Sequence, residues 1–296
     1  MHKEINISSE KTTAIGRLKS YAELMKLRLS SLVVLSAILG YLLGPGAIIP
    51  FQAILLCLGG FLITGASNAF NQIWERDLDK LMSRTQKRPL PQGRITVFES
   101  LIVGVIMGIG GVALLWYLND TCAVLGILAL VLYVAVYTPL KTITPLAVFV
   151  GAIPGSIPPM LGFIAASGNF GLEAGVLFMI QFFWQFPHFW AIAWVSDDDY
   201  KRAGFKLLPN NGKKNFSTAV NIMTYTMFLI PLGLLPTIFG ITGLVSGVVA
   251  VVCAILFLIQ TLRLIKDYSK TSALRIMFGS FIYLPVVQLT YIFDKI

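Results

Sequence analysis

The sequence predicts an all-α membrane protein, a polytopic bundle of about nine transmembrane helices. The 296-residue chain is 56% hydrophobic and only 12% charged, about half the ~25% charged residues of an ordinary soluble domain. Its mean hydropathy is +0.78. Apolar runs of roughly 20 residues, each long enough to cross a hydrocarbon core of ~30 Å, recur along the whole chain.

The predicted spans follow one another with short connections, and prolines inside them are compatible with membrane helices because neighbouring helices can satisfy the freed backbone groups. The three cysteines lie inside apolar runs without a CxxC spacing, so we expect apolar packing and neither a disulfide nor a zinc site. The spans are 29–43, 51–73, 98–118, 122–140, 145–166, 171–195, 218–239, 241–262 and 274–293.

The basic residues predict the orientation of the bundle. Of the 23 lysines and arginines, all but Lys295 fall on one side of the predicted spans. By the positive-inside rule that side faces the cytoplasm. The N-terminus is then expected on the cytoplasmic face of the inner (cytoplasmic) membrane and the C-terminus on its outer face. Residues 1–25 are polar and lack signal-peptide features, so we expect a cytoplasmic tail before one transmembrane domain, 26–296. Topology and attraction to anionic lipid explain the net charge of +9, and no nucleic-acid partner is expected.

A row of oxygen-bearing side chains ends the second span. Asn71, Glu75 and Asp79 have the spacing i, i+4, i+8, which places them on one helical face, each about 40° from the last. Asp77 falls on a different face. Such a row suits Mg²⁺, which usually takes one or two protein carboxylates together with phosphate oxygens of a substrate.

A basic run, SRTQKRP, follows this row directly and supplies Arg84, Lys87 and Arg88. Arginine binds diphosphate in bidentate fashion and lysine binds it as a point charge. Alternatively, these bases only enforce topology and the acids only balance them. That alternative gives the acids no role in the topology. Because carboxylates at a membrane boundary carry a desolvation cost, their presence favours a function.

A second acidic and basic cluster ends the sixth span on the same side, within residues 187–209. Asp197, Asp198 and Asp199 are consecutive, so they cannot all point one way on a helix, and we expect one or two to bind a second Mg²⁺. Lys201, Arg202 and Lys206 could neutralise phosphate, and the two clusters could meet over a shared anion. The alternative is a solvated helix end with charges of both signs.

Two single residues are further candidates. His188 lies in the aromatic run FFWQFPHFWAIAW, and an ionisable group within a span is a functional candidate as ligand of a metal or haem iron, general base or proton carrier. Lys141, in YTPLK, either anchors the topology or contacts phosphate. The segment GAIPGSIPPMLG, residues 151–162, is expected to kink the fifth span and bring its backbone close to a cavity or a neighbouring helix.

These motifs resemble a known group of proteins. The row N-x-x-x-E-x-x-x-D followed by RTQKRPLP resembles the first acidic motif of the intramembrane aromatic prenyltransferase superfamily, in which Asp is usual where Glu75 stands. Within it, WQFPHFWAIAW, DDYKRAGFKLLP, YTPLK and GAIPGSIPPMLG are similar to the protohaem IX farnesyltransferase (haem O synthase) family. That pattern matches best at Asp199 and Tyr200, an acid at Asp198 is common, and Asp197 has no place in it.

The resemblance implies farnesyl transfer from farnesyl diphosphate to haem B in the lipid bilayer. Diphosphate would lie against Mg²⁺, with stabilisation of the leaving group by basic side chains, and His188 would ligate the haem iron or orient the haem. Haem A synthase or terminal-oxidase assembly would receive the product. The implied metal ligands are Asn71, Glu75 and Asp79 with Asp198 or Asp199, and the implied substrate contacts are Arg84, Lys87, Arg88, Lys141, Tyr200 and Lys201.

Other functions remain open from the sequence. The acceptor could be a quinone precursor or a chlorin instead of haem. A transporter could use membrane carboxylates as cation sites, but transporters usually carry them near the bilayer midplane on discontinuous helices, whereas these cluster at one edge. A non-catalytic haem-binding or assembly protein would bind haem without releasing diphosphate.

Overall fold

The structure is a computed structural model that describes residues 14–296, and these residues form a helical bundle without a β-sheet. Eight segments are long and apolar enough to cross a membrane, and the pair α1 and α2, bent by 48° at its break, raises the number to nine. The predicted fold class is therefore confirmed, while the orientation stays a prediction. The helices are α1 Ala14–Leu24, α2 Leu27–Leu43, α3 Pro50–Asp79, α4 Val97–Leu118, α5 Asp120–Val131, α6 Thr138–Leu140, α7 Ala147–Ser167, α8 Leu172–Val195, α9 Asp197–Arg202, α10 Pro209–Gly212, α11 Phe216–Ile238, α12 Leu244–Asp267 and α13 Lys270–Phe293.

Polar residues between the apolar runs begin several of these helices. Thr96 and Glu99 form a capping box at the start of α4, which satisfies two backbone N–H groups that have no partner inside the helix. The side chains of Asn119, Asn215 and Ser269 accept hydrogen bonds from the first turns of α5, α11 and α13. The apolar stretches between these caps then continue as helices that satisfy their own backbone groups in lipid.

Glycines allow α2 and α7 to pack with their backbones in contact. A Cβ atom added to Gly162 would lie 1.8 Å from the backbone oxygen of Ala37, and one added to Gly40 would lie 2.0 Å from the backbone oxygen of Pro159. The close approach expected for the segment 151–162 is confirmed. This packing brings α7 against the first long helix of the bundle.

The cysteines lie in apolar surroundings as expected. Cys122 is buried, Cys57 and Cys253 are partly buried, and all three are free thiols. The burial of Cys122 and the partial burial of the other two agree with the predicted packing.

The end of the bundle opposite the charged loops is closed by what we call the C-terminal clasp, formed by Asp294 and Lys295. The ammonium group of Lys295 donates to the backbone oxygens of Leu42, at 3.1 Å, and of Gly44. The backbone oxygen of Asp294 accepts from the N–H of Gly243 at 2.7 Å. The clasp joins the C-terminus of α2 to the start of α12.

The charged end of the bundle brings together the segments that carry the sequence motifs. A π-helical segment, Leu132–Tyr137, lies between α5 and α6, and such segments are frequent at functional sites. Arg94, in the connection after α3, donates to the hydroxyl of Ser20 at 3.2 Å and pairs with Glu23 on α1. Helix α1 therefore holds the connection that contains the basic run.

Candidate active site

The row predicted on the second span lies on one buried face of α3. The exposed fractions of Asn71, Glu75 and Asp79 are 1%, 3% and 0%. Asp77 is exposed and pairs with Lys80 at 2.8 Å. The helical spacing thus separates three buried oxygen donors from one acid that faces outward.

Each of the three donors faces a different cation. A buried carboxylate is strongly unfavourable unless positive charge or hydrogen bonds compensate it, and these cations provide that compensation. The contacts are Lys26 Nζ to Asn71 Oδ1 at 3.3 Å, Lys141 Nζ to Glu75 Oε1 at 2.7 Å, and Arg88 Nη1 to Asp79 Oδ1 and Oδ2 at 2.9 and 2.7 Å. Three basic side chains therefore face two carboxylates and one amide.

Lys141 is held at the centre of this row. Its ammonium group lies 4.4 Å from the ring centroid of Tyr137 and 5.8 Å from that of Phe205, and its backbone oxygen accepts from Lys206 N at 2.6 Å. Burial is the largest single influence on the pKa of Lys141 and lowers it, but attraction to Glu75 and weaker favourable contacts outweigh it. The pKa of Lys141 is therefore raised above its ordinary value, and the residue is a buried cation.

Lys26 was not found by sequence reasoning, which counted it only among the topology-determining bases. It lies at the break between α1 and α2 in the left-handed backbone region, with φ 48° and ψ 58°, an unfavourable conformation for a side chain other than glycine. The amide nitrogen of Asn71 donates to Thr138 Oγ1 at 3.2 Å, which turns the amide oxygen toward Lys26. No residue pattern in the sequence signals this contact.

Asp199 joins the second cluster to the first. Its carboxylate accepts from Ser83 Oγ at 2.7 and 2.9 Å and from the backbone N–H of Arg84 at 3.3 Å. It also pairs with Arg202 one turn further along α9. The two charged clusters, which the sequence places 116 residues apart at this contact, therefore meet at one end of the bundle.

The three consecutive aspartates point in different directions, as the helical spacing requires. Asp197, which the family resemblance leaves without a role, is buried and pairs with Lys201 at 2.8 Å and Lys214 at 3.2 Å. Its hydrogen bond and charge raise the pKa of Lys201. Asp198 is exposed. Asp197 therefore anchors the segment after α9, whereas Asp199 contacts the basic run.

The other predicted contacts differ in exposure. Arg84 and Lys87 are exposed, whereas Arg88 is partly buried. Tyr200 is partly buried, with its ring centroid 5.7 Å from that of Phe205. The site therefore has buried and partly buried basic side chains next to α3 and exposed basic residues around them.

His188 is buried in α8 and its contacts are with α8 and α13, not with the acidic clusters. Its Nδ1 atom lies 2.8 Å from Ser280 Oγ. The ring of Trp184 stacks on the imidazole, with centroids 4.6 Å apart and an interplanar angle of 15°, and Phe281 lies edge-on at 4.9 Å. The histidine is thus held in place by Trp184 of α8 and by Ser280 and Phe281 of α13.

The oxygen donors of α3 fit Mg²⁺ bound together with phosphate. Among residues 14–296, no group of three or more His, Cys, Asp and Glu side chains could hold a metal ion by itself. Mg²⁺ does not need such a group, because it usually takes one or two protein carboxylates and fills its remaining positions with phosphate oxygens and water. Glu75 and Asp79, with the amide oxygen of Asn71, are hard oxygen ligands of this kind.

The model of the UbiA prenyltransferase family matches residues 33–284. The chain belongs to the UbiA prenyltransferase family. It is therefore a prenyltransferase of the type whose first acidic motif the row on α3 resembles, and the resemblance found in the sequence is confirmed.

Curated members of the UbiA family match over almost their whole length. The protoheme IX farnesyltransferase of Cytophaga hutchinsonii is 50% identical over 95% of this chain and 99% of its own length. That of Christiangramia forsetii is 47% identical over 94% of both chains.

Solved structures show the same UbiA fold at low sequence identity. A structure from work on digeranylgeranylglyceryl phosphate synthase has a TM-score of 0.80 at 21% identity and covers 94% of this chain and 98% of its own. A UbiA homologue from Archaeoglobus fulgidus bound to GPP and Mg²⁺ has a TM-score of 0.68 at 16% identity, covering 92% and 99%.

Proposed function

We propose that the protein transfers the farnesyl group of farnesyl diphosphate to a vinyl group of haem B, giving haem O and releasing diphosphate. The observation that supports this most directly is the buried row on α3, in which every oxygen donor faces its own cation. A site in which three basic side chains converge on metal-type oxygen ligands suits a metal-bound, multiply charged anion. The relatives named protoheme IX farnesyltransferase support haem B as the acceptor.

Asn71, Glu75 and Asp79 would hold Mg²⁺, with Asp198 or Asp199 as further ligands. When bound, the metal neutralises charge on the diphosphate oxygens and so makes the diphosphate a better leaving group. The same carboxylates pair with Lys141 and Arg88, so these two basic side chains would lie next to the bound diphosphate.

The basic side chains would stabilise the charge that develops as the bond between C1 of the farnesyl group and the diphosphate oxygen breaks. Lys141 and Arg88 act from the buried row, and Arg84, Lys87 and Lys201 act from the exposed rim, next to Tyr200. The electrons of the haem vinyl group then form the new carbon–carbon bond with C1. Water adds to the resulting cation on the porphyrin side chain, and its proton goes to solvent.

His188 would bind the haem as ligand of the iron or orient it by contact. Both the farnesyl chain and the porphyrin are poorly soluble in water, which favours an active site inside the membrane. We place this site at the cytoplasmic side of the inner membrane, in a transmembrane domain of residues 26–296, with residues 1–25 as a cytoplasmic tail. Haem A synthase or the assembly machinery of a terminal oxidase would receive the product.

The reaction can be tested with the purified protein in nanodiscs, supplied with farnesyl diphosphate, Mg²⁺ and haem B. Mass spectrometry of the extracted haem should show the addition of one farnesyl group and one hydroxyl, with release of one diphosphate. Prenylation of 4-hydroxybenzoate with haem B left unchanged would refute the acceptor. Haem binding without diphosphate release would instead indicate an assembly protein.

A matched pair of variants tests the site. Asp79→Asn removes a buried carboxylate from the row, whereas Asp77→Asn removes an exposed one from another face of α3. We expect Asp79→Asn to abolish product formation and Asp77→Asn to preserve it. Equal activity of the two variants would contradict the proposed role of the row.

A further inference from the structure

Ser280 is a buried residue of α13 that contacts two residues of α8, one through its hydroxyl and one through its backbone oxygen. Its Oγ atom lies 2.6 Å from the backbone oxygen of Met277 and 2.8 Å from Nδ1 of His188. Its backbone oxygen accepts a hydrogen bond from Nε1 of Trp184 at 2.9 Å. Neither the sequence motifs nor the proposed chemistry at α3 explains this arrangement.

The contacts of Ser280 determine which nitrogen of His188 carries the proton. A hydroxyl has one proton to donate, and the backbone oxygen of Met277 can only accept. At 2.6 Å the two oxygens would repel each other through their lone pairs unless the Ser280 hydroxyl donated to Met277. The hydroxyl must then accept from His188, so Nδ1 carries the proton and Nε2 keeps its lone pair.

The remaining contacts of His188 leave that lone pair available. Nε2 accepts no hydrogen bond within the part of the chain that the structure describes. Trp184 fixes the plane of the imidazole by stacking, and the indole is itself held by its bond to Ser280. A neutral imidazole with a protonated, hydrogen-bonded Nδ1 and a free Nε2 is the form in which histidine usually binds a metal ion.

We propose that Ser280 is a positioning residue, which holds His188 in the Nδ1–H tautomer and directs Nε2 toward the iron of the bound haem. This inference rests on the proposed function, because it takes haem B as the ligand of this site. It assigns α13 a part in acceptor binding, separate from the diphosphate site on α3. It also selects iron ligation by Nε2 from the roles considered for His188.

The test uses the purified full-length protein, haem B and variants of Ser280, His188 and Thr290. Haem affinity is measured by optical titration, and resonance Raman spectroscopy of the ferrous complex reports the iron–histidine stretching frequency. Loss of a hydrogen bond from Nδ1–H lowers that frequency. Ser280→Ala should lower the frequency and weaken haem binding by about 10-fold to 100-fold, the usual effect of losing such a partner. Ser280→Thr, which keeps the hydroxyl, should restore both.

Two controls separate this effect from a general disturbance of α13. Thr290→Ala removes a hydroxyl on the same helix that bonds only to the backbone oxygen of Val286, at 2.7 Å, and should change neither measurement. His188→Ala should remove the iron–histidine band. If Ser280→Ala does not yield folded protein, Ser280→Cys tests the same prediction, because its thiol is a weaker acceptor and must also lower the frequency.

The outcomes distinguish this inference from the proposed function. If His188→Ala removes the band but the Ser280 variants leave frequency and affinity unchanged, the positioning role is overturned while the reaction stands. If His188→Ala leaves the spectrum unchanged, ligation by His188 and the role of Ser280 both fail. If the band responds to Ser280 as expected but no haem is farnesylated, the proposed reaction fails and the positioning role is upheld.

Discussion

The buried ion pair between Lys141 and Glu75 should be the most sensitive contact of the site to the loss of one partner. Their charged atoms are 2.7 Å apart, and the side chains are 9% and 4% exposed. Replacing Lys141 by Met keeps the length of the side chain and removes its charge. The carboxylate of Glu75 is then left buried without its counterion.

The expected loss in the free energy of unfolding follows from the geometry of this ion pair. At 2.7 Å and an effective dielectric constant of about 20, the attraction is roughly 6 kcal/mol. Most of this attraction is offset by the cost of removing both charges from water, which is several kcal/mol per ion. Removing only one partner leaves the other's desolvation cost without compensation, and we expect the free energy of unfolding to fall by about 3–5 kcal/mol.

A double-mutant cycle isolates this effect. Glu75→Gln alone leaves Lys141 without its carboxylate and should cost a similar amount, while the double variant contains neither charge and should lose less than about 2 kcal/mol. Lys201→Met is the matched control, since this lysine is 66% exposed in its pair with Asp197 and should cost at most ~1 kcal/mol. Reversible unfolding in mixed micelles measures all four variants.

Activity should not follow stability in this series. The double variant regains stability but still lacks a proposed diphosphate contact and a proposed metal ligand, so its turnover should fall by at least ~100-fold, as for other transition-state donors. The reasoning is refuted if the two single costs add in the double variant. It is equally refuted if Lys141→Met costs no more than Lys201→Met.

Four further predictions test the packing, the connection between clusters, the metal and the strained lysine. Gly162→Ala should destabilise the protein by about 1–3 kcal/mol because its Cβ would meet the α2 backbone at 1.8 Å. The control Gly175→Ala, on α8, would place its Cβ where no atom lies within 4 Å and should not destabilise the protein. Thermal unfolding measures both variants. Asp199→Asn should reduce farnesyl transfer at saturating haem because it weakens the contact with Ser83, and unchanged turnover would argue against a joint site. Removing divalent cations with EDTA should stop diphosphate release until Mg²⁺ is returned, and persistent release would exclude the metal. Lys26→Gly should relieve about 1 kcal/mol of backbone strain yet lower the rate, and a variant with full activity would show that this cation is dispensable.

The sequence predicted the part of the site that depends on helical spacing. Asn71, Glu75 and Asp79 share a buried face and Asp77 does not, because a helix turns by a constant angle per residue. The spans were predicted for a similar reason, since hydrocarbon thickness dictates their length. Their ends differ from the helices by a few residues; the first span, for example, begins at Leu27.

The contacts that the sequence did not predict join segments far apart in the chain. Lys26 contacts Asn71 from a left-handed backbone conformation, which lysine rarely adopts. No sequence pattern predicts that conformation. In the sequence, Ser280 is a single serine in an apolar segment, and its contacts with α8 arise only from the packing of the two helices. Asp199 is a predicted metal ligand, but its contact with Ser83 depends on how α9 lies against the connection after α3.

The C-terminal clasp has a consequence for how the bundle is held together. Lys295 follows α13, and its ammonium group binds the carbonyl end of α2, the first long helix. Two helices that lie far apart in the chain are therefore tied to each other directly, so the bundle is closed into a ring. Because the other end of α2 begins beside Lys26, which contacts Asn71, the clasp and the candidate site hold the same helix at its two ends.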